Sequence, residues 1–237
     1  MHSAKKPATS IRTPIPIRTR PGRSRPTATR SWVSSAWVSG WVNADAVPER
    51  LLQHIATFHP LSAGARAAIA PAFEEVHLEK GASLVRPGQI CRHLYFLESG
   101  ALRGYYLADG KEVTHWFALA EEFVTSFHSF STGTASVEHV QLLEDAVLWS
   151  ISKERLAGLL DQHHELERAL RIAYERYYIR LEERFLNAQF RSAADRYRDV
   201  LEGQPELLQR VPLGHLASWL GISAETLSRI RSRLSDV

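Results

Sequence analysis

The chain has 237 residues, 44% hydrophobic and 23% charged, enough apolar material for one large or two modest globular domains. No apolar run approaches the roughly 18 to 20 residues that span a bilayer, and the single cysteine, Cys91, excludes an internal disulfide, a Cys-only zinc site and iron–sulfur chemistry. The formal charge of +3 misleads, because residues 1–31 carry eight Lys or Arg and no acid, leaving 21 basic against 26 acidic side chains in a mildly acidic remainder.

Residues 1–45 are rich in Pro, Ser, Thr and Arg and show no sustained periodicity, so a disordered basic tail is expected. An inert or misassigned extension ranks first, ahead of a transit-peptide-like leader and a basic arm with nonspecific phosphate affinity. From Pro48 the pattern becomes globular. Leu51, Leu52, Ile55 and Phe58 predict one short helix, and Ala65 to Phe73 another. Between Val76 and Ile151 short extended segments alternate with turns at Gly81, Pro87-Gly88, Ser99-Gly100 and Asp109-Gly110. Spacing near ten residues is that of a small β-barrel or sandwich, and Asp109-Gly110 predicts a tight hairpin.

After Ser152 the chain turns helical: Lys153 to Asp161 is short, and His164 to about Gln189 is long. Ile172, Ile179 and Leu186 repeat every seven residues, which predicts helix–helix pairing between two subunits in addition to packing on the chain's own barrel. A break at Phe190–Ser192 precedes a helix from Ala193 to Leu201, and Gly203-Gln204-Pro205 ends it.

The stretch PLGHLASWLGISAETLSRIRSRLSDV, from Pro212 to Val237, reads as helix, turn, helix. Pro212 fits the first helical position, and Leu213, Leu216, Ala217 and Leu220 make an apolar stripe. Gly221 suits the turn and Ser223 the N-cap of the second helix. Leu227, Ile230 and Leu234 face inward, while Ser228, Arg229, Ser232 and Arg233 face outward. A helix with a polar exposed N-terminal half behind such a turn is a helix-turn-helix signature, the alternative being an ordinary αα-hairpin.

The order of barrel, long helix, hinge and C-terminal helix-turn-helix resembles the superfamily of the bacterial cyclic-AMP receptor protein and the fumarate–nitrate reduction regulator, the Crp/Fnr regulators. KGASLVRPGQICRHLYFLESGALRGYYLADGKEVT and LGISAETLSRIRSRL carry the likeness, which covers about residues 48–237. It implies an α+β fold: a β-roll sensory domain at 46–163, a dimerisation helix and hinge at 164–190, and a DNA-binding domain at 191–237. It further implies a homodimer on a palindromic duplex, with RNA polymerase a further partner and the cytoplasm its location. Glu225, Ser228 and Arg229 match the family's base-facing positions; Ser223 and Thr226 match phosphate contacts, and Arg231 and Arg233 are candidates for the DNA backbone.

Three departures qualify the likeness. Ala224 stands where the cyclic-AMP receptor carries a base-reading arginine, and the chain stops soon after Arg233, where many members add a β-hairpin wing. In the roll, Thr125-Ser126 replaces the expected Gly-Glu, Ala135-Ser136-Val137 replaces the phosphate-binding arginine, and no arginine occurs between Arg103 and Arg155. Cyclic AMP is therefore not expected to bind. An uncharged effector against an aromatic wall of Trp116, Phe123, Phe127, His128 and Phe130 is one alternative; a roll filled by these rings is the other. The histidines show no recognisable ligand spacing, and no catalytic motif is present, so no metal, cofactor or enzymatic activity is expected. A protein-interaction or effector-binding module without DNA binding is the competing reading.

Overall fold

The computed structural model describes residues 49–235; the tail expected at 1–45 lies outside the described residues. Helices α1 (Glu49–Ala56) and α2 (Ala63–Ile69), the latter capped by Ser62 and prolonged by a 3-10 turn at Ala70–Ala72, precede the strands. Strands β1 (Glu74–Leu78), β2 (Ser83–Val85), β3 (His93–Ser99), β4 (Ala101–Ala108), β5 (Lys111–Leu119) and β6 (Glu122–Val124) follow. A short helix α3 (Phe127–Thr132) then leads to β7 (His139–Leu142) and β8 (Ala146–Ser152). They form two antiparallel four-stranded sheets, ordered β1-β8-β3-β6 and β2-β7-β4-β5. At the β4–β5 hairpin Ala108 pairs with Lys111 across Asp109 (φ 51°) and Gly110 (φ 76°), the two left-handed positions the dipeptide predicts.

Strand alternation sorts the apolar residues into separate cores. Tyr95, Leu97, Val124 and Leu148 point between the sheets, with Leu102, Val140 and Leu142 opposite. Their neighbours Leu94, Phe96, Phe123, Trp149 and Ile151 point outward, under α1, α2, α4 (Lys153–Gln162) and the start of α5 (His164–Phe190). The other sheet also buries its outer face. Ala101 and Leu143 join the core of the C-terminal head, with Phe117 and Leu119 packed against it.

The head comprises α6 (Ala193–Gly203), α7 (Pro205–Arg210), α8 (Leu213–Trp219) and α9 (Ala224–Ser235). Helix α7 is shorter than two turns, too short to show periodicity, and the sequence predicts no helix between Pro205 and Pro212. Pro212 is the N-cap of α8 (φ −57°, ψ 138°) and not its first helical residue. The turn is built as predicted around Gly221 (φ 69°). The N–H of Gly221 donates to Ser218 O at 3.0 Å and that of Ile222 to Ala217 O at 3.0 Å, a paired closure that satisfies the last carbonyls of α8.

Leu227 closes the head core, fully buried among Leu207, Leu216, Ala217 and Leu220. Leu227→Ala is expected to destabilise the head by about 2–5 kcal/mol through lost burial and the cavity left behind. Denaturant unfolding followed by circular dichroism checks this.

Candidate nucleic-acid interface

Ser223 starts α9 as the sequence predicts, its Oγ accepting from the Thr226 N–H at 3.2 Å. The cap holds the first turn of α9 in register with the Gly221 turn, and three and four residues further on the polar side chains emerge on the open side. Glu225, Ser228, Arg229, Arg231 and Arg233 are exposed and Thr226 is half-buried. Arg229 Nη2 donates to Thr226 Oγ1 at 3.2 Å, which steers the guanidinium along the same face. The Ser223 hydroxyl, and then the backbone N–H of Glu225, hold the Glu225 carboxyl below its ordinary range, so this residue presents acceptors at neutral pH. The arrangement offers one bidentate donor, one acceptor pair and two hydroxyls within the first two turns of a helix.

Two elements connect this face to the rest of the molecule. Helix α5 ends at Phe190; Ser192 caps α6 by accepting from Asp195 N at 3.2 Å, and Arg191 pairs with Asp199. Arg196 spans the joint, donating to Arg191 O and to Leu220 O, both at 2.7 Å. On the barrel side, Arg210 pairs with Glu144, its Nε donating to Glu144 Oε1 at 2.9 Å. That bond lowers the Glu144 carboxyl.

The five residues grouped as an effector wall do not converge. Trp116 lies inside the roll. Phe123 sits outside it against Phe96 and His54, because its strand neighbour Val124 takes the inward position. Phe127 is exposed and meets Tyr174 and Tyr177 of α5 edge-on and tilted. His128 points to solvent, and Phe130 is buried beneath Lys153, whose Nζ donates to the Phe130 carbonyl at 2.7 Å. A cavity of about 160 Å³ between β2 and β3, lined by Leu84, Cys91, His93 and Tyr95, touches none of the five. Neither does a groove of about 540 Å³ along α4 and α5, lined by Leu160, Leu170, Tyr174 and Tyr178.

Sequence reading missed what occupies the roll beside Ser126 and Ser136. Those two hydroxyls face each other at 3.0 Å, and Glu138, only 5% exposed, closes the group. Its Oε2 accepts from His115 Nε2 at 2.8 Å and from Trp116 Nε1 at 3.2 Å. Burial alone would raise the Glu138 carboxyl, but the bonds from His115 and Ser126, reinforced by His115 charge and the indole N–H, pull it below its ordinary value. The Trp116 indole lies over Gly104, where any Cβ would stand 2.1 Å from its Nε1. The available signal was an acid two residues beyond Ser136, immediately before the strand that begins at His139. Among the described residues no group of three or more His, Cys, Asp or Glu is placed to hold a metal ion. No helix among them is long and apolar enough to cross a membrane.

Residues 75–163 match the cyclic nucleotide-binding domain family. No curated protein matches the chain. Among solved structures, FixK2 from Bradyrhizobium japonicum is 18% identical, with a TM-score of 0.58 over 69% of this chain and 85% of that one. CLP of Xanthomonas campestris, a c-di-GMP-responsive global regulator, is 23% identical, with a TM-score of 0.56 over 74% of this chain and 92% of that one. A Crp/Fnr-family protein from Eubacterium rectale is 17% identical, with a TM-score of 0.59 over 77% and 88%. Residues 75–163 are therefore similar to the cyclic nucleotide-binding domain family, and the chain has the α+β fold seen in solved structures of Crp/Fnr regulators.

Proposed function

We propose that the protein is a DNA-binding transcription regulator that reads a palindromic site as a homodimer. The observation that carries this reading is the outward placement of Glu225, Ser228 and Arg229 on a helix capped at Ser223 and preceded by the Gly221 turn. Arg229 donates two parallel bonds to guanine O6 and N7, and Glu225 accepts from a cytosine amino group. Ser223, Thr226, Arg231 and Arg233 hold phosphates and fix register. This work is recognition and needs no catalytic group, and a cytoplasmic location follows from it.

The dimer reading is supported by α5. Only Leu166 and Ala169, near its start, are buried. Further on, Tyr178, Ile179, Leu181, Phe185, Leu186 and Phe190 are all exposed and share one side of the helix. The opposite side carries Arg176 over Phe58 and Arg184 over Trp219, turned toward the chain's own barrel and head. A second copy of α5 would cover the apolar side and carry a second head, placing two α9 helices in successive major grooves about 34 Å apart.

Arg229→Ala is expected to lower affinity for the target duplex by about 1–3 kcal/mol and to relax preference at one base pair per half-site. Fluorescence anisotropy with operator variants reads both effects; unchanged affinity would show that the reading face is misassigned, and the absence of duplex binding would favour a protein-interaction module.

The roll is proposed not to take cyclic AMP. Its interior presents the buried Glu138 carboxylate with Ser126 and Ser136, so a cyclic phosphate would meet like charge with no guanidinium to offset it. Titration calorimetry with cyclic AMP is expected to give no binding heat, and submicromolar affinity would contradict the assignment.

A further inference from the structure

Arg103 sits on the outer face of the β2-β7-β4-β5 sheet, where an arginine would ordinarily reach solvent, yet it is only 2% exposed. Helix α8 covers it. The guanidinium stacks on Tyr105, 4.1 Å from the ring centre, and its donors are all engaged. Nε donates to Gln141 Oε1 at 3.2 Å; Nη2 donates to the same oxygen at 2.8 Å and to Glu112 Oε2 at 2.6 Å. Nη1 reaches Thr114 Oγ1 at 3.5 Å and His215 Nδ1, on α8, at 2.8 Å. Beside it, Ser218 of α8 completes the edge of β5 at Thr114, next to the register shift between Gly104 and Tyr105. Its Oγ accepts from Thr114 N at 3.0 Å and donates to Glu112 O at 3.1 Å.

We propose that Arg103, Glu112 and His215 form a pH-graded latch that fastens the head to the roll, closed while the imidazole is neutral and loosened when it takes up a proton. The bond geometry itself requires the neutral form. A guanidinium has no lone pair to offer, so at 2.8 Å His215 Nδ1 must be the acceptor. Protonating Nδ1 turns the contact into N–H against N–H and cation against cation.

The charges facing His215 act in both directions. Arg103 from β4 opposes protonation; Glu112 from β5 favours it, but that carboxylate is already bonded to the guanidinium. Gln141 of β7 and Thr114 of β5 are uncharged, and α8 itself, LGHLASW, has no other titratable group. Arg184 of α5, over the Trp219 ring, adds a second cation to the surface α8 docks on. Burial first and then Arg103 lower the His215 pKa, outweighing Glu112. Because docking lowers it, the His215 contribution to docking is complete above the ordinary value of 6.5 and is lost as pH falls through the lowered value.

The docked state is also incompletely satisfied. Trp219 Nε1, buried against Phe117, is the one buried side-chain donor or acceptor without a partner among the described residues. A docking surface that leaves an indole N–H unpaired is one that a single lost contact can shift. The regulatory meaning rests on the DNA-reading assignment, since a loosened head no longer has its orientation fixed by the roll; the latch itself does not.

Hydrogen exchange of the full chain, read by mass spectrometry at about pH 7.5 and about pH 5 and corrected for intrinsic exchange, tests it without DNA. The peptides spanning β5 and α8 are expected to exchange several-fold faster at the lower pH, while those of α1 and α2 keep their protection. In His215→Asn, whose amide oxygen can accept from Arg103 at any pH, the difference is expected to vanish. Equal protection of β5 and α8 at both pH values, or a pH response that survives in His215→Asn, overturns the latch. Loss of duplex binding with the latch response intact would instead refute the DNA reading.

Discussion

The base of the β4–β5 hairpin is buried on both faces, and the organisation of the molecule follows from how this is achieved. Its inner residues, Leu102 and Ala118, fill the space between the sheets, with Trp116 beside them. Its outer residues, Ala101, Phe117 and Leu119, pack into the same core as Leu216, Ala217 and Leu227 of the head. A strand pair shared between two cores ties the barrel to the C-terminal helical head by hydrophobic contact as well as by chain connection. Two polar residues of that outer face, Arg103 and Thr114, are buried beneath α8 and complete their bonding there, on His215 and Ser218.

The same hairpin closes the roll from within. Trp116 lies over Gly104, and its indole N–H joins His115 in bonding Glu138. A buried carboxylate satisfied by three neighbouring side chains is a stable arrangement only if nothing anionic enters. The segment that matches the cyclic nucleotide-binding family thus encloses a buried carboxylate, held by bonds from its own neighbours.

Much of the fold was legible because it rests on local chemistry. Asp109-Gly110 marked the hairpin, Ser223 the cap and Gly221 the turn, and each is met where the residues stand. The long helix was legible to within a residue of its end, because Arg191 and Ser192 break its pattern and Ser192 caps the next helix. What escaped depended on long-range contact. Phe123 was grouped with the pocket residues although Val124, next to it, takes the inner position; two-residue alternation in a three-residue strand is too short a signal. Nothing in the sequence singled out the burial of Arg103, because its partner on α8 lies 112 positions away. Glu138 escaped for the same reason, since its partners His115 and Trp116 lie 23 and 22 positions away on β5, where that strand shifts register.

The account as a whole turns on two copies of α9 reading one duplex. Selection of random DNA duplexes by the purified full chain, with the mass of the bound species determined, tests this most directly. The account predicts an enriched palindrome with half-sites about one helical turn apart, near 34 Å, bound by two chains. Recovery of no preferred sequence, or of a single half-site bound by one chain, would contradict it.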